Sequence, residues 1–428
     1  MVRIIRAWVA IFLLAVPATG GNWPGWRGPD GNGHSPEQHL PLRWSTTENV
    51  RWKVPLPDEG NSSPIVWGQR VFLTQARDKR DWPPPGAGGP ASAYRRGLLC
   101  FDRTDGKLLW QKEIVYKEKE STHPTNPFCS ATPVTDGQRV IASFGSAGLV
   151  CYDFAGNEQW RHDLGKLEHI WGNASSPILY GDLAILWCGP GVRQFLLAVN
   201  KATGQTVWEH QEPGGNVGTD NKNWAGSWTT PVIVKLADHD ELILCVPGKV
   251  KGLDPKSGKE LWSCSGLGPL FYTTPVCTAD GIIVALSGFG GAALAVRAGG
   301  KGDVTATHRL WQQPQKHPQR IGSPIVVGEK VYVINENGVV QCLDAVTGRD
   351  LFDKPRLSGV FWGSFVSGAD RLYVTSKAGE TFVLSAGPKY ELLAKNALEE
   401  PVSASIAISN GELFLRTYKH LWCIGEKK

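Results

Sequence analysis

The chain has 428 residues, with 45 Lys and Arg against 40 Asp and Glu, so its net charge is only +5. This small excess argues against a basic surface for nucleic acid. The 50 glycines and 29 prolines interrupt helices, while the 18 tryptophans favour pleated strands, so the composition excludes a helical bundle. Apolar residues make up 41%, enough for a large core, which excludes a disordered chain.

The first twenty residues have the features of a secretory signal peptide. Arg3 and Arg6 precede an apolar run over residues 7–16, and Pro17 and Ala18 begin a zone of small residues suited to cleavage. This run is too short for a membrane span, which needs about twenty residues. We therefore expect an exported protein, periplasmic or secreted, that loses residues 1–20. It has no membrane span in this prediction and, since no cysteine lies near the cut, no lipid anchor.

A short motif recurs along the rest of the chain. A Ser or Thr followed by Pro and a β-branched residue begins at Ser63, Thr132, Ser176, Thr230, Thr274 and Ser323. Two weaker copies without Pro follow at Ser364 and Ser405. Each copy leads through a glycine turn into an apolar strand. Repeats with periods of about 20–50 residues are typical of solenoids and propellers.

The third strand of each repeat ends in a polar turn that precedes an aromatic residue. The clearest case runs from Asp102 through Gly106 to Trp110. The same position is occupied later by Trp160, Trp208, Trp262 and Phe352. Asp closes such a turn with its side chain and Gly supplies the positive φ. We expect each aromatic to pack against the neighbouring repeat.

Eight repeats of four strands predict an all-β fold, an eight-bladed β-propeller with four antiparallel strands per blade. The last repeat ends after three strands, and residues 49–56, which include Trp52, have the pattern of an outer strand. We expect this N-terminal strand to complete the last blade and close the ring, because closure removes exposed edges. The chain then comprises an N-terminal extension over residues 21–43 and one propeller domain over residues 44–428.

From about residue 44 to 425, the Ser-Pro motifs, the Asp-x-x-Thr-Gly turns and the Trp four residues after the Gly resemble the pyrroloquinoline quinone (PQQ) repeat propellers. That family includes the quinoprotein alcohol dehydrogenases and the outer-membrane-protein assembly lipoprotein. Residues 22–31 look like the mature start of exported PQQ-like propellers of planctomycete-type bacteria. The resemblance implies the eight-bladed ring, and it leaves the chemistry open.

The nine cysteines do not form a disulfide pattern. Four of them, Cys100, Cys151, Cys342 and Cys423, occupy one equivalent position of the repeated third strand, where Cys acts as a small buried hydrophobe. The other five include no C-x-x-C motif or adjacent pair, so zinc binding is not expected. Because the count is odd, at least one thiol is free.

The longest insertions, residues 76–96, 112–128 and 209–226, fall in connections that share one face of the propeller, where functional loops commonly lie. Residues that lead into the inner strands from that face should line a central funnel. The predicted candidates for cofactor binding are Asn61, Asn173, Trp224, Trp228, Tyr272, Arg320 and Trp362. The wider set adds Asn126, Phe128, Trp171, Phe271 and Phe361. Aromatic planes with one Arg suit a flat anionic ligand, but the same side chains could simply fill the axial channel.

For the dehydrogenase branch, the resemblance implies a carboxylate base, a Ca²⁺ bound through Glu, Asn and Asp, and a disulfide between adjacent cysteines. The chain has no adjacent cysteines. The acidic residues of the looped face are scattered, at Asp58, Glu59, Asp78, Asp81 and Asp220. His123, His169 and His210 are expected in surface loops. No catalytic residue is therefore assigned and no metal site is predicted.

Two functional hypotheses follow. The leading one is an exported, non-catalytic binding or scaffold module of the cell envelope, which binds a protein or an envelope polymer on its looped face. The alternative is a PQQ-dependent oxidoreductase of alcohols or sugars, in intact or degenerate form, with PQQ and Ca²⁺ as cofactors. Paired carboxylates in the funnel would favour the enzyme, whereas an exposed apolar rim would favour the binding module.

Overall fold

The computed structural model describes residues 21–76, 94–118, 120–218, 224–313 and 319–426. Within these ranges the regular secondary structure consists of β-strands, apart from one turn of 3₁₀ helix at Gly145–Ala147. The strands form eight small antiparallel sheets that follow one another along the chain as the blades of a propeller. The predicted fold class is confirmed. The predicted signal peptide lies outside the described residues.

The strands of each blade follow one another along the chain, except that a short extra strand interrupts blade five and that blade eight takes its outer strand from the start of the chain. The first strand of each blade lies nearest the axis. Blade one contains Ile65–Trp67, Arg70–Ala76, Tyr94–Asp102 and Leu108–Tyr116. Blade two contains Val134–Thr135, Arg139–Ser143, Leu149–Asp153 and Glu158–His162. Blade three contains Ile178–Tyr180, Leu183–Cys188, Gln194–Asn200 and Thr206–Glu212. Blade four contains Val232–Lys235, Asp240–Val246, Lys249–Leu253 and Glu260–Ser265.

The second half of the ring repeats this plan with local changes. Blade five contains Val276–Cys277, Ile282–Leu286, Ala293–Arg297 and Arg309–Gln313. Blade six contains Ile325–Val327, Lys330–Ile334 and Val340–Asp344, and its outer strand is reduced to the isolated bridges Leu343–Asp350 and Val339–Arg356. Blade seven contains Val366–Gly368, Arg371–Thr375, Glu380–Ser385 and Leu392–Ala397. Blade eight contains Ala407–Ser409, Glu412–Arg416 and His420–Ile424.

Two further strand pairs join neighbouring parts of the ring. Gly226–Ser227 pairs in parallel with Leu270–Phe271, and Gly302–Asp303 pairs in parallel with the outer strand of blade four. Both pairs lie in connections between the repeated strands.

The ring is closed by the start of the chain. Val50–Pro55 pairs antiparallel with His420–Ile424 and becomes the outer strand of blade eight, with Lys53 opposite Trp422 and Val54 opposite Leu421. This confirms the predicted closure. Because the first and last strands share one sheet, the described blades form a continuous ring.

Burial follows the position of a strand in its blade. The second and third strands are apolar runs that are buried on both faces, because each blade packs between two others. In blade three, the outer strand instead alternates, so that Trp208 is buried while Val207 and Glu209 are exposed. In blade three, alternating apolar residues therefore mark the outer strand.

The aromatic residue of the outer strand packs against the next blade, as predicted. The ring of Trp52 lies against Gly106 in the turn of blade one, and its Nε1 donates to the Arg103 carbonyl at 2.7 Å. The same bond from indole to carbonyl joins Trp110 to Phe154, Trp160 to Lys201, Trp208 to Pro255 and Trp311 to Ala345. A side chain on the turn glycine would collide with the indole, so this position requires Gly.

Trp262 is an exception to this packing. It stays within blade four, where its Nε1 donates to Glu241 Oε2 at 2.8 Å and its ring lies over Gly252. The physical reason is the connection at residues 297–309, which is longer than the equivalent turn in other blades. Its strand Gly302–Asp303 lies along the outer strand of blade four, so Trp262 is fully covered.

The Ser or Thr at the start of each repeat contributes to a ring of hydroxyl groups around the axis. Each hydroxyl accepts from the backbone N–H of its counterpart in the preceding blade, as Thr132 does from Ser63 at 3.0 Å. These bonds run from Ser63 to Thr132, to Ser176 and to Thr230, then from Thr274 to Ser323, to Ser364, to Ser405 and back to Ser63. At the remaining position, the Thr274 hydroxyl accepts from the indole of Trp26 at 3.1 Å.

The N-terminal extension, residues 21–43, crosses the axis on the face that carries the turns between first and second strands. Trp23 is 1% exposed and pairs with Val66 of blade one. The buried Arg27 donates to the Pro324 carbonyl of blade six at 2.6 Å and to the Phe365 carbonyl of blade seven at 3.3 Å. Further contacts join Pro24 to Thr135, Trp26 to Thr274 and Glu37 to Asn410. The extension thereby contacts blades one, two, five, six, seven and eight.

All nine cysteines lie in the described residues, and none forms a disulfide. Cys100, Cys151, Cys342 and Cys423 are fully buried in the third strands of blades one, two, six and eight, at the equivalent position that the sequence indicates. Burial raises the pKa of Cys100 and of Cys151 to about 12, so these thiols stay protonated at neutral pH.

Candidate ligand-binding funnel

An open pocket of about 420 Å³ lies at the axis, on the face that carries the long connections. Its walls come from the segments that lead into the inner strands, and its floor comes from the hydroxyl ring. Of the seven residues predicted to bind a cofactor, five line it: Asn61, Trp224, Trp228, Tyr272 and Trp362. Asn126 and Trp171 of the wider predicted set also line it. The volume lies in the range typical of small-ligand sites, roughly 300–1,000 Å³.

The wall of the funnel on the side of blades two to five is aromatic. Trp171 stacks on His123 with ring centroids 4.1 Å apart, and Trp224 meets Trp171 edge-on at 6.2 Å. Trp228 contacts Tyr272 at 5.4 Å. Such aromatic pairs hold one another in fixed orientations. The wall is therefore a set of positioned ring surfaces that face an open cavity.

Hydrogen bonds within the protein fix this wall. The indole of Trp228 donates to the Gly172 carbonyl at 2.8 Å, and the Asn61 amide donates to the Thr125 carbonyl at 2.9 Å. The Asn126 amide donates to the carbonyl of Trp171. The asparagines that the sequence singled out thus use their NH₂ groups to tie the connecting loops together.

His169 lies behind the wall and is 2% exposed. The prediction that it belongs to a surface loop is wrong. Its ring packs edge-on against Trp228 at 5.1 Å, and its Nδ1 accepts from the Trp171 N–H at 3.2 Å. Burial lowers the pKa of His169 to about 4, so it is neutral at pH 7.

The floor contains residues that the sequence analysis did not select. Trp26 of the extension lines the pocket, as do Ser176, Thr230, Thr274, Ser323 and Ser364 of the hydroxyl ring. The signal for the hydroxyls was present, because Ser or Thr recurs in all eight repeats. Trp26 had no such signal, since it precedes the first repeat and is bonded 248 positions away along the chain.

Two of the seven predicted cofactor-binding residues and three residues of the wider set lie outside the funnel lining. Phe271 and Phe361 are buried in the core between blades. Asn173 and Phe128 line a small separate cavity beside the buried ion pair of Arg96 and Glu120. In that cavity the Arg96 guanidinium lies 4.0 Å from the Phe128 ring centroid.

Arg320, the one cation among the seven predicted cofactor-binding residues, is 1% exposed and is not part of the lining. Its Nη2 donates to Gln341 at 3.4 Å, while Nε and Nη1 have no hydrogen-bond partner among the described residues. Burial lowers the pKa of Arg320 to about 10, and it remains charged at neutral pH. The funnel surface itself gains no positive charge from it.

The lining residues that the structure describes include no Asp, Glu, Lys or Arg. Two charged residues contact Trp362: Glu336 accepts from its indole at 3.0 Å, and Lys377 Nζ lies over its ring, 3.4 Å from the centroid. Burial lowers the pKa of Lys377 although Glu336 acts in the opposite direction.

This donor set does not fit PQQ with Ca²⁺. A hard cation needs several converging oxygens that include carboxylates, and an anionic cofactor calls for cationic partners. The described lining provides neither. Three of the acidic loop residues, Asp78, Asp81 and Asp220, and parts of the long insertions at 76–96 and 209–226 lie outside the described residues.

One group of metal-ligand types occurs away from the funnel, on blades three and four. Oxygen and nitrogen atoms of His210, Glu212 and Glu260 lie within 4.8 Å of one another. However, Lys251 Nζ lies 2.7 and 2.8 Å from the Glu212 carboxylate oxygens and 3.0 Å from Glu260. The ammonium group occupies the place that a cation would take, so we interpret this cluster as a salt-bridge network.

The ring of eight blades and the open aromatic funnel define a propeller with a ligand-sized pocket on its axis. A family model described as outer membrane protein assembly factor BamB matches residues 95–354, more than half of the chain. The chain belongs to this family. No curated protein sequence matches it significantly. Among the described residues, no helix has the length and apolar character that crossing a membrane requires.

Solved structures show the same fold at low sequence identity. BamB from Moraxella catarrhalis aligns over 88% of this chain and 96% of its own, with 12% identity and a TM-score of 0.58. A europium-containing methanol dehydrogenase aligns over 94% of this chain and 90% of its own, with 11% identity and a TM-score of 0.66. Quinohemoprotein alcohol dehydrogenase ADHIIG from Pseudomonas putida HK5 aligns over 95% and 81%, with 13% identity and a TM-score of 0.54. The predicted resemblance to both branches is confirmed for the fold.

Proposed function

We propose that this chain is an exported, non-catalytic binding propeller of the cell envelope, and that its looped face binds an envelope polymer. The observation that carries the proposal is an apolar rim around a rigid aromatic funnel. Four large apolar side chains on that face are exposed, namely Val192 by 64%, Phe289 by 57%, Val360 by 42% and Trp224 by 36%. Exposed apolar groups around a cavity that contains a few polar groups are typical of interaction surfaces.

The fixed geometry of the funnel also favours binding. The indoles of Trp228 and Trp362 are held by hydrogen bonds to Gly172 and Glu336, so little conformational entropy is lost when a ligand arrives. The description of the matching family model as an assembly factor also supports a binding role. Location in the envelope and the identity of the polymer belong to this proposal.

Co-sedimentation with a washed bacterial envelope fraction tests the proposal. We expect residues 21–428 to pellet with the fraction in a saturable manner, and the rim variant Trp224→Ala with Phe289→Ala to lose at least about tenfold in affinity. The matched control is Val207→Ala, which removes an equally exposed apolar side chain from an outer strand. Equal retention of the rim variant and the wild type would contradict the proposal.

A second experiment addresses the quinoprotein alternative. The same protein is titrated with PQQ and Ca²⁺ while tryptophan fluorescence is followed, and dye-coupled oxidation of alcohols and aldoses is then measured. We expect no turnover. Saturable quenching with turnover would replace the binding proposal with a PQQ-dependent oxidoreductase.

A further inference from the structure

Three of the five indoles that line the funnel present ring surfaces rather than hydrogen-bond donors. Trp26, Trp228 and Trp362 each use their Nε1–H on a partner inside the protein, namely Thr274, Gly172 and Glu336. What remains for a ligand is the face and edge of each ring. Aromatic faces carry partial negative charge and attract the polarised C–H groups of a saturated ring.

The floor provides hydroxyl donors. Ser176, Thr230, Ser323 and Ser364 each accept a backbone N–H from the neighbouring blade. A hydroxyl that accepts in this way still has its own O–H to donate. Because these four groups line the pocket, the floor offers O–H donors spaced around the axis.

The side wall provides amide acceptors. Asn61 and Asn126 use their NH₂ groups on the carbonyls of Thr125 and Trp171. Their Oδ1 atoms accept no hydrogen bond within the described residues, and both residues line the cavity. The funnel therefore combines aromatic faces with both donors and acceptors, and its described lining has no carboxylate, ammonium or guanidinium group.

We infer that the ligand of this funnel is a neutral oligosaccharide whose pyranose rings lie against the indoles. A pyranose ring has an apolar C–H face that can lie against the indoles. Its hydroxyls both donate and accept, so they can accept from the floor O–H groups and donate to the asparagine Oδ1 atoms. The inference rests on the proposed binding function and names its ligand. An acidic sugar chain would be desolvated in the funnel without a cationic partner on the described lining, which is costly.

A proline-rich peptide is the competing ligand, because aromatic grooves also bind polyproline II segments. Such a peptide presents carbonyl acceptors but few donors, since proline lacks the N–H. It would leave the Oδ1 atoms of Asn61 and Asn126 without partners. The presence of both hydrogen-bonding types in the funnel favours the saccharide.

Isothermal titration calorimetry tests this assignment with four probes: cellotetraose, maltotetraose, tetra-N-acetylchitotetraose and trigalacturonic acid. A proline-rich decapeptide is the fifth probe. We expect saturable binding of at least one neutral tetrasaccharide, and weaker binding of the galacturonate by at least about tenfold.

Two variants locate the binding. Ala174→Trp fills the cavity without removing any hydrogen bond of a polar side chain, and Trp224→Ala removes a ring that is already 36% exposed. Each should reduce the affinity for the bound tetrasaccharide by at least about tenfold, while the control Val207→Ala leaves it unchanged. Circular dichroism melting curves check that all three variants are folded.

The outcomes separate the two proposals. Binding of the peptide but not of the neutral sugars, with loss in Ala174→Trp, overturns the saccharide assignment and leaves the binding function intact. Stronger binding of trigalacturonic acid than of the neutral sugars also overturns it. If no neutral tetrasaccharide binds up to about 10 mM, the saccharide assignment fails. The binding function fails instead if the wild type does not pellet with the envelope fraction, or if the rim variant pellets as well as the wild type does.

Discussion

One buried residue, His169, makes the stability of this protein depend on pH. His169 is neutral behind the aromatic wall because burial holds its pKa at about 4, below the usual value near 6.5. Between these two values the unfolded chain binds a proton that the folded chain does not. Stability from this residue is therefore complete above about pH 6.5 and is lost as the pH falls towards 4.

Replacing His169 by Gln should flatten that pH dependence. The wild type is expected to lose about 2 kcal/mol from this residue between pH 7.5 and pH 5, and Gln keeps an acceptor for the Trp171 N–H without titrating in this range. Urea unfolding at both pH values gives the measurement. If the free energy of unfolding changed equally with pH in the two proteins, His169 would have to be protonated to the same extent in the folded and unfolded states.

Lys251 is the second residue with a large expected effect. Burial would raise the pKa of Glu212, but hydrogen bonds from His210 and Lys251 outweigh it and lower the pKa. Lys251→Met leaves this carboxylate, whose side chain is 3% exposed, without its ammonium partner. We expect a loss of about 3 kcal/mol at pH 7. The exposed Lys249 on the same strand gives the control Lys249→Met, which should change the unfolding free energy by less than about 0.5 kcal/mol.

At the scale of the strand, the contact between the outer Trp and the next turn is the repeated unit of assembly. Gly204 shows why this unit needs glycine, since its φ is +72° and a Cβ would come within 2.6 Å of the Trp160 ring. Gly181 in the same blade also has a positive φ, of +55°, but open space lies where its Cβ would be. A substitution at Gly181 therefore tests backbone strain alone, whereas one at Gly204 tests backbone strain together with packing against the indole.

Gly204→Ala is expected to cost about 2–4 kcal/mol, because left-handed backbone strain adds to overpacking against Trp160. Gly181→Ala should cost only about 1 kcal/mol, from the backbone alone. Chemical unfolding of both variants provides the comparison. Equal losses would mean that the indole moves away freely and that the contact between blades is weak.

Sequence pattern was sufficient for elements that repeat and insufficient for those that do not. The Gly106–Trp110 unit appears several times, so its turn, its strand and its packing could all be predicted. Trp262 has the same local sequence but packs differently, because a single long connection covers it. In the funnel, Asn61 and Trp228 were found from their place before an inner strand. Arg320 has the same place, yet its side chain is buried away from the lining, and local spacing cannot reveal that.

At the scale of the whole molecule, the ring is held by two devices that act across long distances in sequence. One is the pairing of the first strand with the last, which the incomplete eighth repeat made predictable. The other is the extension, whose contacts to Pro324 and Phe365 come from the single residue Arg27. No sequence period indicates such contacts, so the role of residues 21–43 required the structure.

Arg27→Met should weaken this long-range connection. The substitution keeps an apolar stem but removes the donors to the Pro324, Phe365 and Asn32 carbonyls, and we expect a loss of about 3 kcal/mol in the free energy of unfolding. The exposed Arg43 of the same extension gives the control Arg43→Met. Thermal unfolding measures both. A midpoint for Arg27→Met as high as that of the control would mean that the extension does not stabilise the ring.

Trp26 belongs both to the extension and to the floor of the funnel. It therefore couples two equilibria, the docking of the extension on the ring and the binding of a ligand in the funnel. Docking of the extension completes the site, so any ligand that rests on Trp26 must favour the docked state by its own binding free energy. By reciprocity, a change that loosens the extension lowers ligand affinity by the same factor without touching the ligand. The N-terminal segment and the funnel are therefore thermodynamically linked, and mutations such as Arg27→Met should be detectable as weaker binding at the opposite face.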